Sequence, residues 1–160
     1  MDVRAWKGLK LAIETKKGDR RKPTHKPLKD DYGYIKGVES DADGDSIDVY
    51  VCDDDPDSEL LFVVNQKDEE GNFDEHKVIV GVSSLARAKE VYLRNYPPGW
   101  NGMGEVTPLT LEHFKWWANN ADTSKEIKNG YFAAKENKKA ASDAQRFVRV
   151  EVPDGVGGVL

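Results

Sequence analysis

Residues 32–49 read YGYIKGVESDADGDSIDV. Five carboxylates fall between Glu39 and Asp48, and from Ile47 the chain runs straight into apolar residues. Unpaired carboxylates repel one another and are costly to desolvate. So dense a cluster is therefore either a solvated turn or a site for a hard cation. Asp43, Asp45 and Asp48 are spaced by two and three, and where a loop straightens into a strand such spacings can aim several carboxylates at one point. Divalent cations such as Mg²⁺ take carboxylate and water oxygens. A calcium loop of the EF-hand kind fails on residue type. Counted from Asp41, the sixth position, which needs glycine, is Ser46, and the twelfth, which needs glutamate, is Cys52.

Outward from this stretch the chain is β-rich, with its helices late. IDVYVC (47–52), LLFVVN (60–65) and HKVIVGV (76–82) read as strands, separated by DDDPDSE and QKDEEGNFDE. Upstream, Leu9, Leu11 and Ile13 alternate with Lys10, Ala12 and Glu14, the period-2 pattern of a strand over 9–14. Residues 15–31, with Gly18, Pro23 and Pro27 as breakers, read as a long polar loop. Ser83 or Ser84 can cap a helix ended by Pro97 and Pro98, and Thr110 can cap LEHFKWWANN. An Ala-, Lys- and Asn-rich stretch at 120–145 suggests a further helix, and RFVRVEV (146–152) a last strand. The order predicts one α+β domain over 1–152, a small, mainly antiparallel barrel with two or three helices packed on it, and a loose tail at 153–160.

Composition sets the class. With 160 residues, 33% charged and 38% hydrophobic, the chain suits one globular domain. No apolar run approaches the roughly 20 residues that span a bilayer, and MDVRAWKGLKLAIE lacks the apolar centre of a signal peptide. Cys52 is the single cysteine, so no internal disulfide can form and a cytoplasmic setting is expected. A net charge of −5 argues against nucleic acid as the main partner. The charge is uneven. KKGDRRKPTHKPLK (16–29) is strongly basic and 39–59 strongly acidic, a pairing suited to an anion together with the cations bound to it.

A second polar constellation stands at DEEGNFDEHK (68–77). Asp68, Asp74 and Glu75 surround a turn, and Lys77 follows two residues later. On a strand Glu75 and Lys77 share one face, and Asp74 and His76 the other. An exposed salt-bridge ladder would have the same pattern, but two acidic hairpin ends in one small domain favour a site.

These residues carry a resemblance. YGYI followed by DGDSIDV resembles the family I soluble inorganic pyrophosphatases, whose pattern is Tyr-Gly-Tyr or Tyr-Gly-Phe and then Asp-Gly-Asp-x-x-Asp-Val. A closer resemblance is to the pyrophosphatase-like domain of bacteriophage and prophage proteins, including large polyvalent ones. It covers nearly all of 9–117, through DYGYIKG, DGDSIDVYV, VVNQ, GNFDEHKVIVG, YLRNYPPGWNGMGEVTPLT and FKWW. The resemblance implies Asp43 and Asp48 as Mg²⁺ ligands and Asp45 as the base for the attacking water. It implies Asp68 and either Asp74 or Glu75 as further acids, alternation favouring Glu75 and residue type Asp74, with Lys77 as the lysine beside them. Tyr32 and Lys115 would bind phosphate oxygens, Glu14 matches an N-terminal site glutamate, and the clamp arginine is Arg20 or Arg21. Two departures stand out: Phe114 replaces the tyrosine of the family's Glu-His-Tyr-Lys, and Tyr32 to Asp43 is one residue longer than the pattern. The implied function is Mg²⁺-dependent hydrolysis of pyrophosphate, phage-encoded and acting in the host cytoplasm. Two alternatives are a non-enzymatic phage protein with a virion or host partner, and a hydrolase of a nucleotide or signalling diphosphate.

Other features are weaker. YPPGWNGMG (96–104) reads as a lid or as a crossover pinned by Trp100. His25, His76 and His113 lack zinc-site spacing. At least one of Trp116 and Trp117 should face the core.

Overall fold

The computed structural model describes residues 2–39 and 46–133. Asp43 and Asp45, most of the expected helix at 120–145, the expected strand at 146–152 and the tail at 153–160 lie outside the described residues. The chain divides into two compact units, Met1–Asn129 and Gly130–Leu160, and the fold below is that of the first.

Seven strands form one sheet: β1 (Asp2–Trp6), β2 (Leu9–Thr15), β3 (Asp31–Glu39), β4 (Ser46–Val51), β5 (Leu61–Lys67), β6 (Phe73–Val80) and β7 (Met103–Leu109). Their order is β1-β2-β3-β4-β6-β5-β7. Every neighbouring pair is antiparallel except β4 with β6. Helix α1 (Leu85–Arg94) precedes β7 and α2 (Leu111–Asn120) follows it. The architecture is the expected α+β one, consistent with a barrel-like pyrophosphatase fold. Strands β2, β4, β5 and β6 overlap the strands expected at 9–14, 47–52, 60–65 and 76–82. Strands β1, β3 and β7 were not foreseen.

Both faces of the sheet are covered. On one, Tyr32, Tyr50, Phe62, Val64, Ile79 and Val106 meet Ala88, Val91 and Tyr92 of α1 in one apolar cluster. Val49, Leu61, Val63, Val78 and Val80, at alternate positions, are also fully buried, as period-2 strands with two covered faces require. The β2–β3 approach needs a glycine: a Cβ on Gly33 would lie 1.8 Å from the Ala12 carbonyl oxygen. Both helices start at the predicted caps. The Ser84 side chain accepts from the Arg87 N–H and that of Thr110 from the His113 N–H, each at 3.1 Å. Trp117 is buried and Trp116 exposed. Beyond α2, buried Asn65 exchanges two hydrogen bonds with the Ile127 backbone, at 2.7 and 3.1 Å, tying this segment to β5.

Candidate active site

Strand register builds the site. Asp48 on β4 is the direct partner of Lys77 on β6, and on the other side of β6 Gln66 of β5 is the partner of Glu75. Paired positions project from the same face of a sheet, so Asp48, Glu75, Lys77 and Gln66 converge. Lys77 is only 3% exposed, yet it is not orphaned. Its ammonium donates to Asp48 Oδ2 at 2.6 Å and to the Tyr32 hydroxyl at 2.8 Å, and lies 2.7 Å from Glu75 Oε1. Burying an ammonium costs several kcal/mol unless such partners are present. Burial is the strongest single pull on this lysine and acts against the proton. The combined attraction of the Tyr32, Asp48 and Glu75 oxygens outweighs it, so the pKa is raised and the ammonium persists. Burial pushes the Glu75 carboxyl up, with Lys77 pulling the other way.

Tyr32 joins this centre to the basic arm. Its hydroxyl donates to Asp48 Oδ2 at 2.5 Å while accepting from Lys77. Burial, the first cause, raises its pKa, so it stays a neutral donor. The Arg21 guanidinium carbon sits 4.2 Å from the centroid of the Tyr32 ring, a cation–π contact that brings a second permanent cation to the carboxylates.

Arg21, Glu75 and Lys77 line a cleft of about 620 Å³, together with the 24–29 segment, Gln66, Tyr96 and Trp100. A hydrogen-bonded network holds that wall. Gln66 Oε1 accepts from the Tyr92 and Tyr96 hydroxyls at 2.7 and 3.0 Å, the Trp100 indole N–H donates to Tyr92 at 2.9 Å, and Tyr50 donates to Tyr96 at 2.9 Å. Trp100 stacks on Tyr96 with centroids 4.7 Å apart, and Gly102 admits the indole edge, since a Cβ there would meet it at 2.6 Å. The basic arm is moored from below. Buried Asp30 takes both Arg94 nitrogens at 2.5 and 2.9 Å and the Asn95 amide at 2.8 Å, while Asn95 Oδ1 accepts from the Lys29 N–H at 2.8 Å. Neither the Asp30–Arg94–Asn95 clamp nor the Gln66 network was foreseen, although the segments VVNQ, which ends in Gln66, and YLRNYPPGWNGMGEVTPLT, which holds Tyr92, Arg94, Asn95, Tyr96 and Trp100, were singled out in the sequence.

Among the described residues, the remaining expected site residues share no hydrogen bond or ion pair with this cluster. Asp68 is exposed, and its Oδ1 accepts from the Glu70 and Asn72 N–H groups at 2.9 and 3.0 Å, capping the β5–β6 turn. Asp74 is exposed on the other side of β6, Glu14 is exposed on β2, and Lys115 is exposed on α2 beside Gly8. Of the two arginines, Arg20 donates to the His25 carbonyl within the arm at 2.8 Å, so Arg21 is the one over the cluster.

Two carboxylates against one ammonium offer the hard anionic oxygens that Mg²⁺ takes. Glu75, whose acidity burial weakens, is a carboxylate with room for more positive charge. The donor set fits the ion. Cys52, Asp53 and Asp54 also place ligand atoms within 4.8 Å of one another, but they suit Mg²⁺ poorly. Burial pushes the Cys52 thiol up and keeps it protonated. Asp54 is engaged by both forks of Arg87, at 2.5 and 3.3 Å.

The family model described as inorganic pyrophosphatase matches residues 1–119, and the chain belongs to that family. No curated protein and no solved structure matches it.

Proposed function

We propose that the chain hydrolyses inorganic pyrophosphate to two phosphates in a Mg²⁺-dependent reaction. The observation that carries this reading is the buried Lys77 ammonium, held by Tyr32, Asp48 and Glu75 beneath Arg21 in the lining of the cleft. Lys77 and Arg21 face the anion and stabilise charge on the departing phosphate. Tyr32 donates a hydrogen bond. Asp48 and Glu75, with Asp43 from the acidic run, would hold Mg²⁺. Bound there, the ion would supply positive charge against the anhydride and ease the deprotonation of water. Asp45 is assigned the proton of that water. Asp68, Asp74, Glu14, Arg20 and Lys115 keep the roles the resemblance implies only if substrate draws them in.

We place the protein in phages or prophages, on the segments shared with their pyrophosphatase-like domains, and its work in the host cytoplasm. No helix among the described residues is long and apolar enough to cross a membrane. The reading is tested by phosphate release from pyrophosphate with and without Mg²⁺. Asp45→Asn should lower turnover by roughly 10²–10⁴-fold, the usual worth of a general base, while Mg²⁺ affinity changes far less. Equal loss of Mg²⁺ in Asp45→Asn and Asp48→Asn would make Asp45 a ligand. One observation favours a second reading, a phage protein that keeps the fold without turnover. Phe114 is fully buried, so the phosphate contact the family makes there is missing. Mg²⁺ binding without phosphate release from any diphosphate would select it.

A further inference from the structure

The cleft is lined by two chemically different sets of side chains, an ionic set with Arg21, Lys77 and Glu75 and an aromatic and apolar set with Tyr96, Pro97 and Trp100. Pyrophosphate uses only the first. Cations and their waters account for room beside the carboxylates, but they gain nothing from an indole and a proline ring. A cleft of about 620 Å³ lies within the range of roughly 300–1,000 Å³ that takes drug-sized organic ligands. The aromatic set is also rigid before any ligand arrives. Its polar groups are spent on one another, Trp100 on Tyr92 and both Tyr92 and Tyr96 on Gln66, and the stacking of Trp100 on Tyr96 sets the indole plane. A wall already in its bound shape loses little freedom on binding. Gln66 pairs in register with Glu75, so the two sets adjoin.

Resting on the reading of the ionic set as a phosphoanhydride site, we infer that the cleft takes a diphosphate ester carrying a planar ring, with a nucleoside diphosphate as its soluble representative. The diphosphate would lie against Arg21 and Lys77 and the ring against Trp100 and Pro97. In the reaction a water oxygen bonds to the terminal phosphorus and the bridging P–O bond breaks. The electron pair stays on the bridging oxygen, now part of the nucleoside monophosphate, and water's proton is released to the base. The products are phosphate and the monophosphate.

The test is calorimetric binding, with Mg²⁺, of three non-hydrolysable probes: methylenediphosphonate, its ribosyl ester and the corresponding α,β-methylene nucleoside diphosphate. Stacking on an aromatic side chain predicts a gain of about tenfold or more, confined to the last step of the series. The series needs no variant. In addition, Trp100→Ala should weaken the nucleoside probe at least fivefold more than it weakens methylenediphosphonate. Equal affinity for the three probes, or tighter binding of methylenediphosphonate, overturns the inference. If pyrophosphate is hydrolysed in the same preparation, the proposed function survives that failure. Nucleoside binding with the expected margin but no hydrolysis of any diphosphate would sustain the ring site and sink the hydrolase reading. Binding of none of the probes overturns both.

Discussion

Lys77 and His76 are neighbours on β6, both basic and both almost wholly buried, yet they solve burial in opposite ways. Lys77, on the cleft face, is surrounded by three oxygens and keeps its charge. His76, on the other face, lies between Phe73 and Trp117, with ring centroids at 4.7 and 4.8 Å. Among the described residues neither of its nitrogens has a partner in hydrogen-bond geometry. Burial pulls its pKa down to about 4, with only a small opposing pull from the Lys125 backbone. One face of the strand is thus arranged to hold a cation and the other to exclude one. Charge on this strand follows from the neighbours a side chain meets, not from its type.

The largest expected effect comes from breaking the cleft side. Lys77→Met leaves Asp48 and Glu75 facing each other unneutralised, and phosphate release should fall by roughly 10²–10³-fold, the usual worth of one preorganised electrostatic donor. Stability should drop by about 3–5 kcal/mol, because a buried pair has lost one partner. A fall in activity of less than tenfold, measured at matched folded fraction, would reduce the cluster to a structural role.

The opposite face gives a pH signature. The folded pKa of His76 is depressed below its ordinary value of 6.5. As pH falls from 6.5 toward 4 the unfolded chain takes up a proton that the folded chain refuses, so stability present above 6.5 is lost through that window. The loss attributable to His76 should be roughly 3 kcal/mol. His76→Phe should abolish that part while costing about 1 kcal/mol or less at pH 7.5, since no buried nitrogen is left unsatisfied. Urea unfolding of both proteins across pH 4–8 checks this. Parallel pH profiles would mean that the imidazole is hydrated after all.

Arg94→Met strips the buried Asp30 of its bidentate partner. Because the Arg94 side chain is 31% exposed, the cost should be modest, about 2 kcal/mol. The informative readout is kinetic: KM for pyrophosphate should rise several-fold as the basic arm loosens, with kcat little changed, while a purely structural clamp would leave both untouched. The smallest effect on stability is that of Tyr32→Phe. It removes one hydroxyl from Asp48 and Lys77, which keep each other, and should cost about 1 kcal/mol in stability and about tenfold in phosphate release.

Strands β2, β4, β5 and β6, rich in aliphatic residues, were legible in the sequence, and so was the strand-face logic that sets Glu75 beside Lys77 and Asp74 away from it. Strand β3 was hidden because its tyrosines and glycines looked like a site motif. It needs Gly33 for close approach to β2, and glycine is a poor strand signal. Strand β7 was hidden by Gly104 and Pro108. It lies at the end of the sheet order, where the missing N–H of a proline is tolerated. β1 is a five-residue edge strand whose half-buried positions are Asp2, Arg4 and Trp6 while Val3 and Ala5 are exposed, so its hydrophobicity runs against its burial. The Asp30–Arg94 clamp joins residues 64 apart, and local periodicity has no reach at that distance. The choice of Arg21 over Arg20 rests on the path of an irregular loop, which no period encodes.

The single parallel seam of the sheet, β4 against β6, has a consequence for the order in which the chain can assemble. Strands β5 and β6 form a hairpin joined by a short turn and can pair early, bringing Glu75, Lys77 and Gln66 together without help. Asp48 and Tyr32 arrive only when the 2–51 portion closes a long loop and docks β4 alongside β6, a non-local step whose chain entropy must be met before its contacts form. Any nascent or truncated species that lacks that docking carries a lysine and a glutamate but no site. Ligand binding in this chain therefore reports completed folding rather than the mere presence of its residues.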